Sequence, residues 1–388
     1  MRKVALEVAP YVQINVAAQN FVDNLIALTA TDRPKSLANG LPVKLEKETY
    51  MIATVNRQVL LKSRPKGIPE SEHFQIVESA LPTPAGNQVL VRNLYLSVEP
   101  AMRAWVSAVK NYSEPVPIGG VMRSFTVARV EVSRHPDYRV GDLVTGLFGW
   151  QDYAAVEAQA IQRKVTDTDL PPSTALGVLG LNGVTAHYGL LEVGRPQPGE
   201  TVVVSTAAGA VGSCVGQIAK LKGCRTVGIA GGPHKTELCT KSFGFDAAVD
   251  YKAPDFALQL ATACEGGVDV YFDNTAGPIS DAVHNHLNTG ARVVVCGTAS
   301  VASWDPPPQG PRIERHLLVR GARMEGFVMF DHPEHEDIAR HDLAGWLRSG
   351  QLRYLEDVLD GIDHAPGAIA GLYCGDNLGK RLIRLSRE

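Results

Sequence analysis

The stretch Val202-Val203-Val204-Ser205-Thr206-Ala207-Ala208-Gly209-Ala210-Val211-Gly212 limits what this chain can fold into more than any other. Three consecutive apolar β-branched residues predict a buried strand, and a helical pattern begins near Gly212. Glycines at such a turn let the backbone come close to another group, while the first N–H groups of the helix stay free to meet an anion. Ala207, Gly209 and Gly212 occupy the positions of the dinucleotide fingerprint, with alanine at its first glycine. Alone the pattern is weak, so its context carries the argument. The apolar pieces TVVVS, RTVGIA, AAVDY, VDVYFDN and ARVVVCG alternate with helical patterns, which predicts a doubly wound parallel α/β sheet of Rossmann type.

Upstream, from Arg57 to about Asp169, the texture differs. Pieces such as NQVLVRNLYLSV and FTVARVEVS are punctuated by LPTPAG, VPIGG and VGD, a spacing that predicts a compact β-barrel-like domain. Near the end, a helical stretch at 339–349 precedes the strand-like LIRLS, so the tail is expected to return to the barrel. The boundaries that follow are 51–178 and 345–388 for the barrel domain and 179–344 for the cofactor domain. Residues 1–50 are an N-terminal extension expected to lie outside this core.

Composition excludes several classes of function. The 388 residues carry 38 Lys+Arg against 41 Asp+Glu, a formal charge of −3, so there is no basic field for nucleic acid. No apolar run is long enough to span a bilayer, and the first 50 residues lack the layout of a secretory signal. A small-molecule partner and a cytoplasmic location are expected. The six cysteines (Cys214, Cys224, Cys239, Cys264, Cys296 and Cys374) form no Cys-x-x-Cys pair. None precedes Cys214, HPEHE at 332–336 is not a His-Glu-x-x-His helix, and His284 and His286 point to different faces. No metal site is expected.

About 20 residues past the glycine turn, an NAD site presents Asp or Glu to the ribose hydroxyls. Here the chain reads Ala230-Gly231-Gly232-Pro233-His234-Lys235. No carboxylate stands there to repel a phosphate, and Lys235 can donate a charge-assisted hydrogen bond to a 2′-phosphate. The expected cofactor is NADP(H).

These residues resemble the zinc-independent medium-chain dehydrogenase/reductases, in the branch of prostaglandin, alkenal double-bond and curcumin reductases. The resemblance runs from about Asn56 to the end. It is carried by NRQVLLKSRPKGIP, YLSVEPAMR (95–103), AAGAVGSCVGQIAK, FGFDAAVDYK, VYFDN, ARMEGFVMFD (322–331) and DNLGK (376–380). It implies a GroES-like barrel as the catalytic domain, with the Rossmann domain inserted in it and a cleft between them. It also implies that Gly209, Ala210, Val211 and Gly212 line a pyrophosphate, that Lys235 and Tyr251 hold the adenosine phosphate end, and that Asn274 touches the cofactor. The loop Cys296, Gly297, Thr298, Ala299, Ser300, Val301 and Ala302 is implied in the same way, as are Phe327, Val328, Met329 and Asn377. A homodimer is the assembly that relatives suggest.

Two positions depart from the family pattern: Ala101 stands where relatives usually have tyrosine, and Ala302 or Trp304 stands near another usual tyrosine. Tyr112, in NYSEPVPIGG, is left as the candidate active-site donor. The reaction implied is NADPH-dependent reduction of the C=C bond of an α,β-unsaturated ketone or aldehyde, without metal. The alternatives are a quinone or carbonyl reductase on the same scaffold, or an NADP-binding protein with little turnover.

Overall fold

Strand pairing in the computed structural model, which describes residues 55–108, 113–301, 306 and 308–386, distributes fifteen strands over three sheets. The first two, β1 (Val55–Leu61) and β2 (Phe74–Ala80), pair antiparallel. Next come β3 (Gln88–Ser97), the short helix α1 (Met102–Trp105), β4 (Thr126–Ser133), β5 (Leu143–Gly146), β6 (Tyr153–Glu157) and β7 (Ile161–Lys164). The strand β3 alternates poorly because it is covered on both faces, with Val89, Val91 and Leu94 all fully buried.

The second half begins with α2 (Leu181–Tyr188) and β8 (Thr201–Ser205), followed by α3 (Ala210–Leu221), β9 (Arg225–Ala230), α4 (Pro233–Glu237) and β10 (Ala247–Asp250). It continues through α5 (Phe256–Ala263), β11 (Val268–Asp273), α6 (Gly277–His284), β12 (Leu287–Val295), α7 (Glu314–Arg320) and β13 (Arg323–Gly326). These six strands are all parallel, in the order β10-β9-β8-β11-β12-β13. That is the doubly wound dinucleotide-binding order, and its switch point lies between β8 and β11. Val202 and Val204 pack into one apolar layer and Val203 into the layer on the opposite face, which explains why the run shows no polar alternation.

The chain then returns. After α8 (Glu336–Arg348) come β14 (Glu356–Asp360), α9 (Ala365–Cys374) and β15 (Lys380–Arg384), and β15 pairs antiparallel with β3. The seven-stranded sheet therefore runs β14-β15-β3-β4-β5-β7, with β6 also on β3, antiparallel except for the parallel pair β14 and β15. The six parallel strands are an insertion between β7 and β14. Helix α8 is continuous across the 344/345 junction expected from the sequence, and its Ala339, Leu343 and Ala344 pack into the core on the α2 side of the parallel sheet. No helix among the described residues is long and apolar enough to cross a membrane. Residues 1–50, Tyr112, Ala302 and Trp304 lie outside the described residues.

Candidate active site

The glycine turn sits where β8 ends. Thr206 takes a left-handed conformation (φ 54°), Gly209 is extended, and α3 starts at Ala210 with no side chain capping its first N–H groups. A helix that opens uncapped on a half-exposed turn presents donors to an anion. Gly212 is needed for closeness: a Cβ there would lie 2.3 Å from the Thr206 carbonyl oxygen and 2.9 Å from the Ala207 Cα. Gly209 and Gly379 form a bridge, and the Gly379 N–H donates to the Ala208 carbonyl at 3.0 Å. The 376–380 segment therefore braces the turn, and Asn377 Nδ2 donates to the Gly379 carbonyl within it at 2.8 Å.

Beyond β9, Gly232 adopts a positive φ and the chain turns into α4. The half-buried Lys235 Nζ donates to the Gly375 carbonyl at 2.8 Å. Burial, then the nearby Lys252, hold its ammonium below the usual lysine range. Two lysines close enough to repel, beside the Tyr251 ring, form a cationic spot. Tyr251 crowds Gly231, where a Cβ would lie 2.9 Å from the ring, and Lys252 Nζ lies 5.9 Å from the ring centroid. Asp250, which directly precedes Tyr251, accepts from the Gly232 and Lys252 backbone N–H groups at 2.8 and 2.9 Å. The sequence reading missed Lys252, although it stands in the quoted FGFDAAVDYK.

At the switch point, Asn274 ties strand ends together. Its N–H donates to Ser205 Oγ at 2.8 Å and its Nδ2 to the Ser205 carbonyl at 2.7 Å. The buried Asp273 carboxylate beneath it accepts from Tyr271, Ser280 and the Thr275 and Ala276 N–H groups. The 296–301 loop is stapled to the same place: the Cys296 and Gly297 N–H groups donate to the Asp273 carbonyl, and Ser300 Oγ to the Thr275 and Ala276 carbonyls. Burial pushes the Cys296 thiol up to about 12, so it is inert as a nucleophile at neutral pH. Arg103, also missed, reaches from α1 to donate to the Val301 carbonyl at 2.6 Å while its guanidinium lies 4.7 Å from the Tyr373 ring centroid. It is a direct strut between barrel and loop.

Past β13, Met329 is buried and Val328 half-buried. The Phe327 ring turns toward Tyr188 (5.5 Å between centroids) and fills the space over Gly189, so only its backbone remains for a ligand. Phe330 stacks on Phe125 of the barrel at 6.2 Å and walls a cavity of about 250 Å³ between the barrel, α2 and α8. Gly209, Ala210, Val211, Asn274, Cys296 to Ala299, Phe327, Val328 and Asn377 are all partly exposed. They follow the C-terminal ends of adjacent parallel strands or, for Asn377, abut the first turn, where open α/β sheets bind ligands. Among the described residues no group of three or more His, Cys, Asp or Glu is placed to hold a metal ion.

This architecture matches known proteins over most of its length. A family model described as the N-terminal domain of oxidoreductase matches residues 57–164, and one described as zinc-binding dehydrogenase matches 210–343. The NADPH-dependent curcumin reductase of Escherichia coli (strain K12) is 44% identical over 340 residues, covering 86% of this chain and 98% of the relative. The NADP(+)-dependent 2-alkenal reductase of Nicotiana tabacum is 38% identical, covering 86% and 98%. The crystal structure of CurA from Vibrio vulnificus in complex with NADPH superposes with a TM-score of 0.81 at 43% identity, covering 86% of this chain and all of that one.

Proposed function

Because the chain belongs to the zinc-independent medium-chain dehydrogenase/reductases, with curcumin and alkenal reductases among its relatives, we propose that it reduces the C=C bond of α,β-unsaturated ketones or aldehydes with NADPH. The observation that carries the cofactor half is the pairing of an uncapped, glycine-tight helix start with two lysines beyond β9, where Asp250 is held by backbone N–H groups. Bound NADPH supplies a hydride to the β-carbon of the acceptor.

In this reading the backbone of Gly209, Ala210, Val211 and Gly212 holds the pyrophosphate, and Lys235, Lys252 and Tyr251 hold the phosphorylated adenosine end. Asn274, the loop from Cys296 to Ala302, and Val328, Met329 and Asn377 line the rest, with Phe327 contributing through its backbone. The protein must then stabilise the charge that builds on the acceptor's carbonyl oxygen. Tyr112, a backbone N–H or the ribose hydroxyl of the bound cofactor is read as the hydrogen-bond donor; one such donor contributes about 3 kcal/mol in the transition state. The α-carbon is protonated from solvent.

Incubation with NADPH and a long-chain enone should consume cofactor and yield the saturated ketone by mass spectrometry. A quinone consumed in preference to the enone would move the assignment to quinone reduction, and no consumption of either would leave a binding protein. Lys235→Ala should weaken NADPH about tenfold to a hundredfold, the worth of a charged hydrogen bond, and leave NADH nearly unchanged. Equal losses for both cofactors in a fluorescence titration would remove Lys235 from the phosphate.

Two features support self-association. Strand β13 ends the parallel sheet with all four residues exposed, and α7 beside it buries none of its residues, leaving Leu318 83% exposed. An exposed edge strand, with the apolar Leu318 and Val319 exposed on the helix before it, is a template for pairing, and we read it as the face of a homodimer. Light scattering at twice the chain mass supports this, and a monomer refutes it without touching the reaction. Four of the six cysteines are buried and none is disulfide-bonded, which suits a reducing compartment, here read as the cytoplasm.

A further inference from the structure

The cavity walled by Phe125 and Phe330 has a polar end that the reaction above does not use. Arg163, on β7, and Glu336 and Arg340, on α8, line it. The guanidinium of Arg163 is partly buried and donates to the Leu179 carbonyl at 3.1 Å, yet no carboxylate among the described residues pairs with it. Arg57, Arg92, Arg292 and Arg381 each pair with an Asp or Glu, whereas Arg64, Arg103 and Arg129, like Arg163, donate to backbone carbonyls; of these four only Arg163 lines the cavity. The acids near Arg163 are already engaged. Asp167 accepts from Arg348 at 2.8 Å, and Glu336 and Asp337 each accept from Arg340 at 2.9 Å. Burial, with Arg340 adding to it, pulls the Arg163 guanidinium down to about 10, which still leaves it charged at neutral pH.

At this end two guanidinium groups, those of Arg163 and Arg340, face one carboxylate, that of Glu336, and a partly desolvated cation with donors to spare is an incomplete ion pair. The guanidinium fork matches the two oxygens of a carboxylate. The cavity's wall residue Phe330 directly follows Met329, so the cavity adjoins the 327–329 segment along the chain. We propose that this cavity is a carboxylate-binding subsite with Arg163 as its cation, so that unsaturated carbonyl acceptors bearing an anionic group are preferred over their neutral esters. The inference rests on the reading of the chain as an enone reductase and deepens it by naming the substrate class.

The test uses the full chain and two probes: a medium-chain enone with a terminal carboxylate, and its methyl ester. The wild-type protein should show the lower KM for the acid. Arg163→Gln should raise the KM for the acid about tenfold to a hundredfold, leave that for the ester and for NADPH unchanged, and be partly rescued by Arg163→Lys. Equal shifts for acid and ester, or no preference for the acid in the wild type, would overturn the subsite. Failure of both probes to yield a saturated product would instead overturn the reductase reading. Should Arg163→Gln not fold, competition on the wild type decides: nonanoate should inhibit and nonanamide should not, whereas equal inhibition by the two refutes the subsite.

Discussion

Lys380→Met should lower stability by about 3–5 kcal/mol, the cost of stranding a buried charge, which for a folded body of this size is a fall in thermal midpoint of roughly 4–7 °C. The side chain is 4% exposed, and its Nζ donates to Glu99 Oε1 at 2.9 Å and to the Val98 carbonyl at 2.8 Å. Burial pulls the ammonium below the usual lysine range while the Glu99 carboxylate opposes that shift. Glu99 also accepts from Ser97 Oγ at 2.6 Å and Asn182 Nδ2 at 3.1 Å, so it is held in place and cannot swing out to water when the lysine is lost. The pair joins β15 to the end of β3, and Asn182 adds α2, so one ion pair ties the returning tail, the barrel and the start of the inserted domain. The double variant Glu99→Gln/Lys380→Met should recover part of the loss, because it removes the stranded charge as well as the bond. A single variant no worse than an exposed lysine substitution, measured by calorimetry, would show that the pair is not what holds these segments.

The second large effect is expected at Gly212. An added methyl at a position 2.3 Å from a backbone oxygen cannot be accommodated by a side-chain rotation, so either α3 or the Thr206–Ala208 turn must move. Overpacking of this kind costs about 3 kcal/mol at its upper end, or roughly a hundredfold in NADPH affinity if the strain falls on the phosphate-holding turn. Gly212→Ala should therefore lose most of the thermal stabilisation that NADPH confers on the wild type. Gly345→Ala is the matched control. It lies in α8, is exposed, and has nothing within 4 Å of a would-be Cβ, so alanine there should be neutral or stabilise by up to about 1 kcal/mol. Unchanged NADPH binding in Gly212→Ala, in a calorimetric titration, would show that the close contact has no bearing on the cofactor.

How far each part was legible from residues alone follows the range of the interaction that sets it. The strand, turn and helix around Gly209 were readable because each depends on a few consecutive dihedrals and on apolar periodicity, and the same holds for the alternation that announced a parallel sheet. The position of Lys235 past β9 was readable because its distance from the glycine turn is fixed by one strand–helix–strand unit. The return of the tail was readable from its strand-like LIRLS, but not its register, since the pairing of Leu382 with Ser97 and Ile383 with Leu96 is set by contacts between distant segments.

Lys252 was missed because its relation to Lys235 depends on β10 lying beside β9, and Arg103 because its carbonyl partner lies 198 residues away. The Phe327 ring could be assigned to a cofactor or to the core from its chain position, and only the packing over Gly189 turned it inward. Arg163 illustrates the limit most fully. By itself it is one more basic residue in a strand, and its meaning arises from two other arginines, Arg340 and Arg348, having engaged Asp167, Glu336 and Asp337. Local chemistry thus determined the elements, the sheet type and the cofactor turn. Which charges ended up paired, buried or left facing a cavity was decided by tertiary packing, because desolvation and Coulomb energies depend on neighbours that the linear order does not place side by side.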